Sequence, residues 1–392
     1  MIESEIDGLH VNRENFYKVV SLKIPGLSHS KNISQLNIFR PTTRLLFPHS
    51  DDNLLQKKVE EGMTVEPNWL CPIIPMILVN GTEGIGTGWS TKIANRNPVD
   101  VIDMIRRMID SEELDQDIPP FYDDYMGRIE VVSPTKFTSS GKIQLCRPER
   151  KNASTFSIDI SELPVGVWTS KYKERLQRIV ENLPVIEFSE RHTEKRVGFR
   201  VTLDRKKAAR FLQKSNTDLL NYFKLRASIT ENRVLFDKNG YLKQFGSVAE
   251  IASEFFEVRT DLYQKRLKLQ KEECSAKLKY VDNQMKFIDL VTNGTFELSK
   301  MEREQLESKL KEFDFEVDPL ATRTRSNKKT GYGYLLEMPV SRLTSDEMNR
   351  LMEKRSRRKL ELEAAQSADW RSTWHSELDK LAVAVDKKKK SK

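Results

Sequence analysis

Cysteine is scarce in this sequence, with three copies among 392 residues. So few and so scattered cysteines exclude the disulfide framework of a small secreted protein and a cysteine-rich zinc site. No run of about 18 consecutive apolar residues occurs, so the sequence does not predict a membrane-spanning helix. The opening residues, MIESEIDGLH, lack the apolar centre of a secretion signal. We therefore expect a protein of a reducing compartment with no membrane partner.

The charge balance is basic, because 66 Lys and Arg residues against 58 Asp and Glu residues leave a formal net charge of +8. A positive surface favours polyanionic partners, and nucleic acid is the natural candidate. The same composition also suits long, solvated helices, and composition alone does not choose between these interpretations. The length exceeds that of a usual single domain, so two or more structural units are expected.

The most unusual composition lies between residues 44 and 110, where apolar residues, glycine and proline are dense. RLLFP at 44–48 indicates a turn at Pro48 that leads into a short helix. The apolar run IIPMILVNG at 73–81 predicts a buried strand that enters a glycine-rich turn. PVDVIDMIRRMID at 98–110 combines helical apolar spacing with a proline near the first turn, which predicts a helix.

The rest of the chain divides into a mixed region and a helical region. Alternating apolar and polar residues between about 119 and 237 predict strands, with a helix at 170–183. From Val248 to about residue 293 the apolar residues follow near-heptad spacing, and a second such helix runs from about 348 to 385. Two long helices around a short irregular stretch indicate an antiparallel coiled coil. The final DKKKKSK is a nuclear-import signal, a DNA contact or a solvated tail.

Four glycines surround one isoleucine in the sequence GTEGIGTG, at 81–88. Glycine permits close backbone approach and positive φ, and Ile85 between two glycines has few apolar neighbours. The segment is either an ordinary glycine turn with Ile85 in the core or an apolar wedge that needs a cleft in a partner. The glycine spacing does not match the fingerprint of a dinucleotide site or a P-loop, so no nucleotide site is indicated.

The stretch VEPNWLCPIIPMILVNGTEGIGTGWSTKI at 65–93 closely resembles the segment of eukaryotic DNA topoisomerase II that lies against bent DNA. Further stretches resemble the same family in the same order along the chain. They are RLLFP with DDNLL (44–55), PPFYDDYMGRIE (119–130), ISELPVGVWTSKYKE (160–174), NYFKLRASITENRVLFDKNGYLKQF (221–245), EIASEFFEVRTDLYQKR (250–266) and GYLLEMPVSRLT (333–344).

The resemblance implies an α+β fold, namely a partial topoisomerase II core with a mixed tower domain and a long antiparallel coiled coil that ends in a small helical C-gate. It also implies five segments. They are a divergent remnant of the winged-helix region (1–43), a DNA-gate-adjacent segment with the glycine-rich loop (44–110), the tower domain (111–240), the coiled coil and C-gate dimerisation region (241–385) and the basic tail (386–392).

The resemblance assigns DNA-binding roles to individual residues. The family's matching isoleucine inserts between base pairs and kinks the duplex, so this role falls on Ile85. Unstacking a base step costs free energy, which the bent duplex offsets by meeting more basic protein surface. Arg44 and Lys92 are expected to contact phosphates, and Arg96 is expected to add to the same surface.

The groups that cleave DNA are not found in this sequence. In the family an Arg-Tyr pair precedes an Ile-Phe dipeptide, whereas LNIFRPTTRLLFP at 36–48 places Leu36 and Asn37 there. Neither side chain can attack phosphorus or stabilise the developing charge. The family's Mg²⁺ and ATP bind through regions not recognised here, so no cofactor and no enzymatic activity are expected. The acidic residues Asp115 and Asp117 suit solvated or capping roles.

Three functions fit these features. The first is a non-catalytic, nuclear protein that binds double-stranded DNA on chromosomes and acts in chromosome organisation or sister-chromatid and centromere separation. It would form a homodimer or a heterodimer with full-length topoisomerase II and meet other chromosomal proteins. The second is one chain of a split, ATP-dependent type II topoisomerase that another chain completes. The third is a coiled-coil chromosomal adaptor without DNA bending. The sequence favours the first.

Overall fold

The computed structural model describes residues 41–60, 62–67, 69–86, 88–114, 117–146, 154–193, 196–296, 302–320, 331–339, 342 and 344–390. The chain forms two compact units. The first unit comprises Met1–Pro48, Leu55–Val258 and Leu378–Lys392, and the second comprises His49–Leu54 and Arg259–Glu377. The five segments expected from the sequence stay a prediction.

Short elements dominate the start of the first unit. They are α1 (Pro41–Leu46), β1 (Lys57–Glu60), β2 (Met63–Pro67), α2 (Met76–Asn80), β3 (Thr82–Gly86), β4 (Trp89–Ile93) and α3 (Pro98–Ile109). β1 pairs with β2 and β3 with β4, both antiparallel. The short helix expected after Pro48 is wrong, because a 3-10 turn at His49–Asp51 stands in the second unit and the hairpin of β1 and β2 follows in the first.

The buried strand expected at 73–81 is also wrong, because α2 occupies Met76–Asn80. Ile77 and Leu78 of this helix are buried, so the apolar character was recognised correctly but the backbone was not. A short apolar run has no periodicity that separates a buried strand from a buried helix. Gly81 ends the helix with a φ of 66°, and its N–H binds the carbonyl of Ile77.

The helix expected at 98–110 is confirmed as α3, Pro98–Ile109. The side chain of Asn97 accepts a hydrogen bond from the N–H of Val99, and Pro98 stands in the first turn, where its missing N–H costs nothing. The buried face consists of apolar residues at helical spacing: Val101, Ile102, Met104, Ile105 and Ile109.

Two antiparallel sheets form the mixed region of the first unit. One has the strand order β7-β8-β10-β9 and the other β11-β6-β5. Their strands are β5 (Arg128–Ser133), β6 (Lys136–Ser140), β7 (Lys142–Cys146), β8 (Thr155–Glu162), β9 (Val185–Glu190), β10 (Phe199–Asp204) and β11 (Arg226–Thr230). Helices α4 (Thr169–Val180) and α5 (Asn216–Tyr222) contribute Tyr172, Leu176 and Leu219 to the core of the four-stranded sheet. The predicted strands and the predicted helix are thus confirmed.

A long helix, α6 (Val248–Thr292), follows the small hairpin of β12 (Val234–Phe236) and β13 (Leu242–Gln244). The carboxylate of Asp117 accepts hydrogen bonds from the N–H groups of Val248 (3.0 Å) and Ala249 (3.4 Å). These are first-turn amides without partners in the helix, so Asp117 caps α6. The expected capping role is confirmed for Asp117, whereas Asp115 lies outside the described residues.

In the second unit, α6 packs antiparallel to the helices that follow it, α9 (Ser345–Ser367) and α10 (Trp370–Lys390). The rings of Tyr263 and Trp374 lie 5.0 Å apart, and Asp282 binds Arg355 at 2.6 Å. Early residues of α6 therefore meet late residues of the returning helices, and later residues of α6 meet earlier ones. The antiparallel pair is confirmed, but the returning helix is divided at Ala368, whose ψ is 129°.

A small helical tip joins the two arms of this pair. It contains α7 (Arg303–Glu312) and α8 (Gly333–Leu336). Its core is mostly aromatic and consists of Phe287, Phe296, Leu310, Phe315, Tyr332 and Leu335. Among the helices that the structure describes, none is both long enough and apolar enough to cross a membrane.

Candidate nucleic-acid interface

The hairpin of β3 and β4 presents an exposed isoleucine. Its register places Ile85 opposite Ser90 and Glu83 opposite Lys92. Because alternate residues of a strand share a face, these four side chains lie on one face of the hairpin. The side chain of Ile85 is 83% exposed, so the interpretation that places it in the core is excluded.

Two of the four glycines around Ile85 have the positive φ expected from the sequence, Gly81 at 66° and Gly88 at 78°. A Cβ atom on Gly81 would lie 2.6 Å from the carbonyl oxygen of Ile93, so this position also needs glycine for close approach. Gly84 and Gly86 belong to the strand β3, and positive φ is not found there. They leave Ile85 without side chains at the adjacent positions of its strand.

Asn232 holds the hairpin from one side. Its backbone exchanges two hydrogen bonds with Lys92, at 2.8 and 2.9 Å. Its side-chain amide donates to the carbonyl oxygen of Ser90 at 2.6 Å and to the Ser90 hydroxyl at 3.0 Å. The strand β4 is therefore bound by β3 on one edge and by Asn232 on the other, which limits its movement.

A buried carboxylate anchors the end of β4. Glu231 accepts hydrogen bonds from the N–H of Ala94 at 2.8 Å and from Arg96 at 2.7 and 3.0 Å. It also accepts from Nε of Arg233 at 2.9 Å. The side chains of all three charged residues are fully buried. Buried charges persist only when they are paired and hydrogen-bonded, a condition that this cluster meets.

Arg96 therefore does not belong to the surface that was expected to meet DNA. Its guanidinium also donates to the carbonyl oxygens of Ile118 (2.7 Å) and Ala94 (2.6 Å). The expectation for Arg96 is wrong because the attraction of the buried Glu231 carboxylate holds this side chain in the interior. Its contribution to the hairpin is structural.

The pKa of Glu231 reflects two opposed effects. Burial raises the pKa of a carboxyl group, since it disfavours the charged form. Hydrogen bonds and the charge of Arg96, together with the N–H of Ala94 and the charge of Arg233, act in the other direction and prevail. The pKa of Glu231 therefore lies below its ordinary value, and the group stays ionised at neutral pH.

Arg233 connects this cluster to the start of α6. Its guanidinium donates to Asp117 (3.3 Å), the same carboxylate that caps α6, and to the carbonyl oxygen of Gly246 (2.9 Å). Sequence reasoning missed the functional relevance of residues 231–233, although they lie in the stretch at 221–245 that resembles the family. Three adjacent polar residues between β11 and β12 were the available signal.

The remaining predicted site residues are distributed unevenly. Lys92 shares the face of Ile85, and its Nζ atom lies 2.6 Å from the carboxylate of Glu83. Arg44 stands in the last turn of α1 and is half-buried. Leu36 and Asn37 lie outside the described residues. DNA contact by Ile85, Lys92 and Arg44 stays a prediction.

The fit of the family's Mg²⁺ can be tested on the side chains present. Within the part of the chain that the structure describes, no three residues of the types His, Cys, Asp and Glu form a group that could hold a metal ion. The described residues thus do not fit a bound Mg²⁺. The capping and ion-pair roles of Asp117 and Glu231 account for the two buried or half-buried carboxylates next to the hairpin.

Comparisons with known proteins agree on one family. The family model for the A-type subunit of DNA gyrase/topoisomerase IV matches residues 38–379. A Caenorhabditis elegans protein named as a candidate mitochondrial DNA topoisomerase 2 is 73% identical over 351 residues, which are 90% of this chain and 30% of that protein. DNA topoisomerase 2-alpha of Cricetulus griseus is 31% identical over 384 residues, with coverage of 89% and 24%. The chain thus spans less than a third of either relative.

A solved structure shares the fold. The crystal structure of the Plasmodium falciparum topoisomerase II DNA-binding, cleavage and re-ligation domain superposes with a TM-score of 0.66 and 28% sequence identity. The match covers 89% of this chain and 49% of that one. The expected fold class, a partial topoisomerase II core with a long helix, is confirmed.

The expectation that the chain is not an enzyme is wrong. The relative at 73% identity is named as a topoisomerase, and the matching solved structure is a cleavage and re-ligation domain. Leu36 and Asn37 misled the prediction, because two side chains in a gapped motif do not decide the chemistry of relatives much longer than this chain. The chain belongs to the DNA gyrase/topoisomerase IV family, in its A-type subunit branch, and carries part of the topoisomerase II DNA-binding and cleavage core.

Proposed function

We propose that this chain forms the DNA-bending part of a type II DNA topoisomerase, with Ile85 as the wedge that opens a base step. The supporting observation is the 83% exposure of Ile85 on a hairpin that is anchored by a buried charge cluster. An exposed isoleucine normally gains about 1.5–3 kcal/mol when it is buried. Insertion between bases supplies that burial.

Rigidity of the hairpin is the second requirement of a wedge. Unstacking a base step costs a few kcal/mol, and a flexible hairpin would yield before the duplex does. Here β4 is held by the amide of Asn232 at Ser90 and by the carboxylate of Glu231 at Ala94. These contacts support a hairpin that keeps its shape under load.

A bending assay tests the wedge. A duplex of about 40 base pairs is far shorter than the persistence length of DNA, so its ends approach only when it is kinked. Energy transfer between dyes on the two ends should rise when the protein binds, and Ile85→Ala should abolish most of the rise. Ile186→Ala removes the same atoms from an isoleucine of β9 that is 58% exposed and serves as the control.

Two outcomes would reject this proposal. If the wild-type protein leaves the duplex straight, the chain does not bend DNA. If Ile85→Ala bends DNA as well as the control does, the wedge is not Ile85. Retained function of Ile85→Ala in cells would instead support the coiled-coil adaptor.

Strand passage would require groups that the described residues do not supply. We propose that an Arg-Tyr pair, Mg²⁺ and ATP sites are provided elsewhere, either in the same longer protein or in a partner chain of a homodimer or mixed dimer. Resolution of interlinked circular DNA is the reaction that separation of sister chromatids needs. Addition of a topoisomerase II chain that lacks the segment matched here should restore ATP-dependent unlinking, and failure to do so would reject completion in trans.

The compartment in which this DNA lies is a further part of the proposal. The family resemblance suggests the nucleus and its chromosomes, whereas the name of the relative at 73% identity favours mitochondrial DNA. We favour the mitochondrion, because the similarity to that relative is far higher than the 31% identity to the Cricetulus griseus enzyme. Tagging the endogenous protein and imaging it beside both DNA stains tests this, and exclusively chromosomal signal would reject it.

A further inference from the structure

An open cleft lies on the first unit between the C-terminal half of α4 and the end of α5. We call it the α4–α5 cleft. Its volume is about 550 Å³. It shares no residue with the hairpin of β3 and β4. Three cationic side chains, one amide and two largely apolar residues line it, namely Arg175, Arg178, Lys224, Asn182, Ile179 and Tyr222.

The three cations of the cleft are not neutralised. Arg175, Arg178 and Lys224 are exposed, and no carboxylate of the described chain lies within 4.0 Å of their charged atoms. Other cations of the same unit are paired, as in the contact of Lys173 with Glu190 at 2.7 Å. A position near the C-terminal end of α4 explains a positive charge at Arg178 but not the convergence of three. The cleft is therefore a local concentration of positive charge.

Lys224 occupies a backbone position that usually belongs to glycine. It follows the C-cap of α5 with a φ of 54°, and its N–H binds the carbonyl of Asn221. Glycine or asparagine is common at this place in a helix end, and a lysine there is strained. Lys214 lies with Nζ 5.5 Å from the ring centre of Tyr222, so a fourth cation rims the cleft. The strained lysine gains no ion pair within the described part of the protein.

We propose that the α4–α5 cleft binds backbone phosphates of duplex DNA, as a contact additional to the Ile85 hairpin. This inference rests on the proposed DNA-binding function. Arginine suits phosphate because its guanidinium can donate two parallel hydrogen bonds, and the apolar surface of Ile179 and Tyr222 can accept the deoxyribose. A free polyphosphate offers the same chemistry, but an open cleft on a protein of net charge +8 favours a long polyanion.

The salt dependence of DNA affinity tests the cleft. Fluorescence anisotropy with the full chain and a labelled duplex yields the slope of log affinity against log salt concentration, which is about 0.9 for each phosphate contact. The double variant Arg175→Ala/Arg178→Ala should lower this slope by about two and weaken low-salt binding by about tenfold or more. Lys136→Ala/Lys142→Ala, which removes two exposed lysines of β6 and β7, should leave the slope nearly unchanged.

Lys224→Gly separates binding from folding. Glycine relieves the positive-φ strain, so this variant should melt no lower than the wild-type protein while its salt slope falls by about one. Equal slopes for the cleft variants and the lysine control would overturn the proposal. So would titration with sodium tripolyphosphate, if it shows a site that the cleft variants lose while their affinity for DNA is unchanged.

Failure of this inference can be distinguished from failure of the proposed function. If the wild-type protein bends DNA and the cleft variants bind it like the control, only the cleft is rejected. If the wild-type protein does not bind duplex DNA at low salt, both are rejected.

Discussion

Arg96 and Glu231 form a buried ion pair through two hydrogen bonds, Nη1 to Oε1 at 2.7 Å and Nη2 to Oε2 at 3.0 Å. The pair joins the segment after β4 to the connection between β11 and β12. Because the second oxygen of Glu231 also meets Arg233, one carboxylate coordinates two guanidinium groups beneath the hairpin that carries Ile85. The wedge therefore depends on a residue far from it in sequence.

Glu231→Gln should destabilise the first unit strongly. Removal of one partner from a buried ion pair leaves uncompensated charge and typically costs about 3–5 kcal/mol. Urea denaturation should show a loss of about 3 kcal/mol in the free energy of unfolding. Glu83→Gln breaks the exposed pair with Lys92 and should cost less than about 1 kcal/mol. Similar losses for both variants would contradict the importance of the buried pair.

The contribution of Glu231 should depend on pH in a defined direction. Its pKa is lower in the folded protein than the ordinary value of 4.5. The folded state is thus stabilised fully above about pH 4.5, and this stabilisation disappears as the pH falls through the folded pKa. Urea denaturation between about pH 7 and pH 3.5 should show the gap between wild type and Glu231→Gln closing at low pH. A constant gap would argue against this origin.

Asn232→Ala should weaken the grip on the hairpin without changing its exposed face. The variant loses the two side-chain hydrogen bonds to Ser90 but keeps the backbone bonds to Lys92. We expect a loss of about 1 kcal/mol in stability and a smaller DNA bend, measured by energy transfer. Ser90→Ala removes one of these bonds and should lie between. Full bending by Asn232→Ala would show that the clamp is dispensable.

Lys92 and Glu83 should act on DNA affinity in opposite directions. Glu83→Gln removes a negative charge beside Ile85 and releases Lys92, so low-salt affinity should rise by about threefold. Lys92→Ala should weaken binding and reduce the salt slope by about one. Anisotropy titrations measure both, with Lys142→Ala as the control. A lower affinity for Glu83→Gln would place this face away from the phosphates.

Asp51→Asn should loosen the second unit. The carboxylate of Asp51 is buried and binds Arg259 at 2.8 Å and Arg266 at 3.2 Å, both on α6. Its removal leaves two buried guanidinium groups without this charge, and amide hydrogen exchange near residues 259–266 should accelerate by at least about tenfold. The neighbouring Asp52→Asn alters an exposed carboxylate and should leave exchange unchanged. Equal exchange in the two variants would contradict the role of Asp51.

Several elements follow from local sequence alone. The helix α3 combines Asn97 as cap, Pro98 in the first turn and apolar residues at helical spacing, all within a short stretch. The apolar spacing after Val248 likewise determines α6, and alternation determines strands such as β8 and β10. Periodicity and capping act between residues a few positions apart, so these features are visible in the sequence.

Other features were decided only by the tertiary structure. The sequence places Ile85 among glycines but does not determine whether it is buried, and it contains the basic residue Arg96 without its partner. Arg96 lies inside because Glu231, 135 positions later, comes to it when the chain folds. Ile85 lies outside because the pairing of β3 with β4, and of Lys92 with Asn232, turns its face away from the core. Long-range pairing sets the burial of a side chain, and no local pattern encodes it.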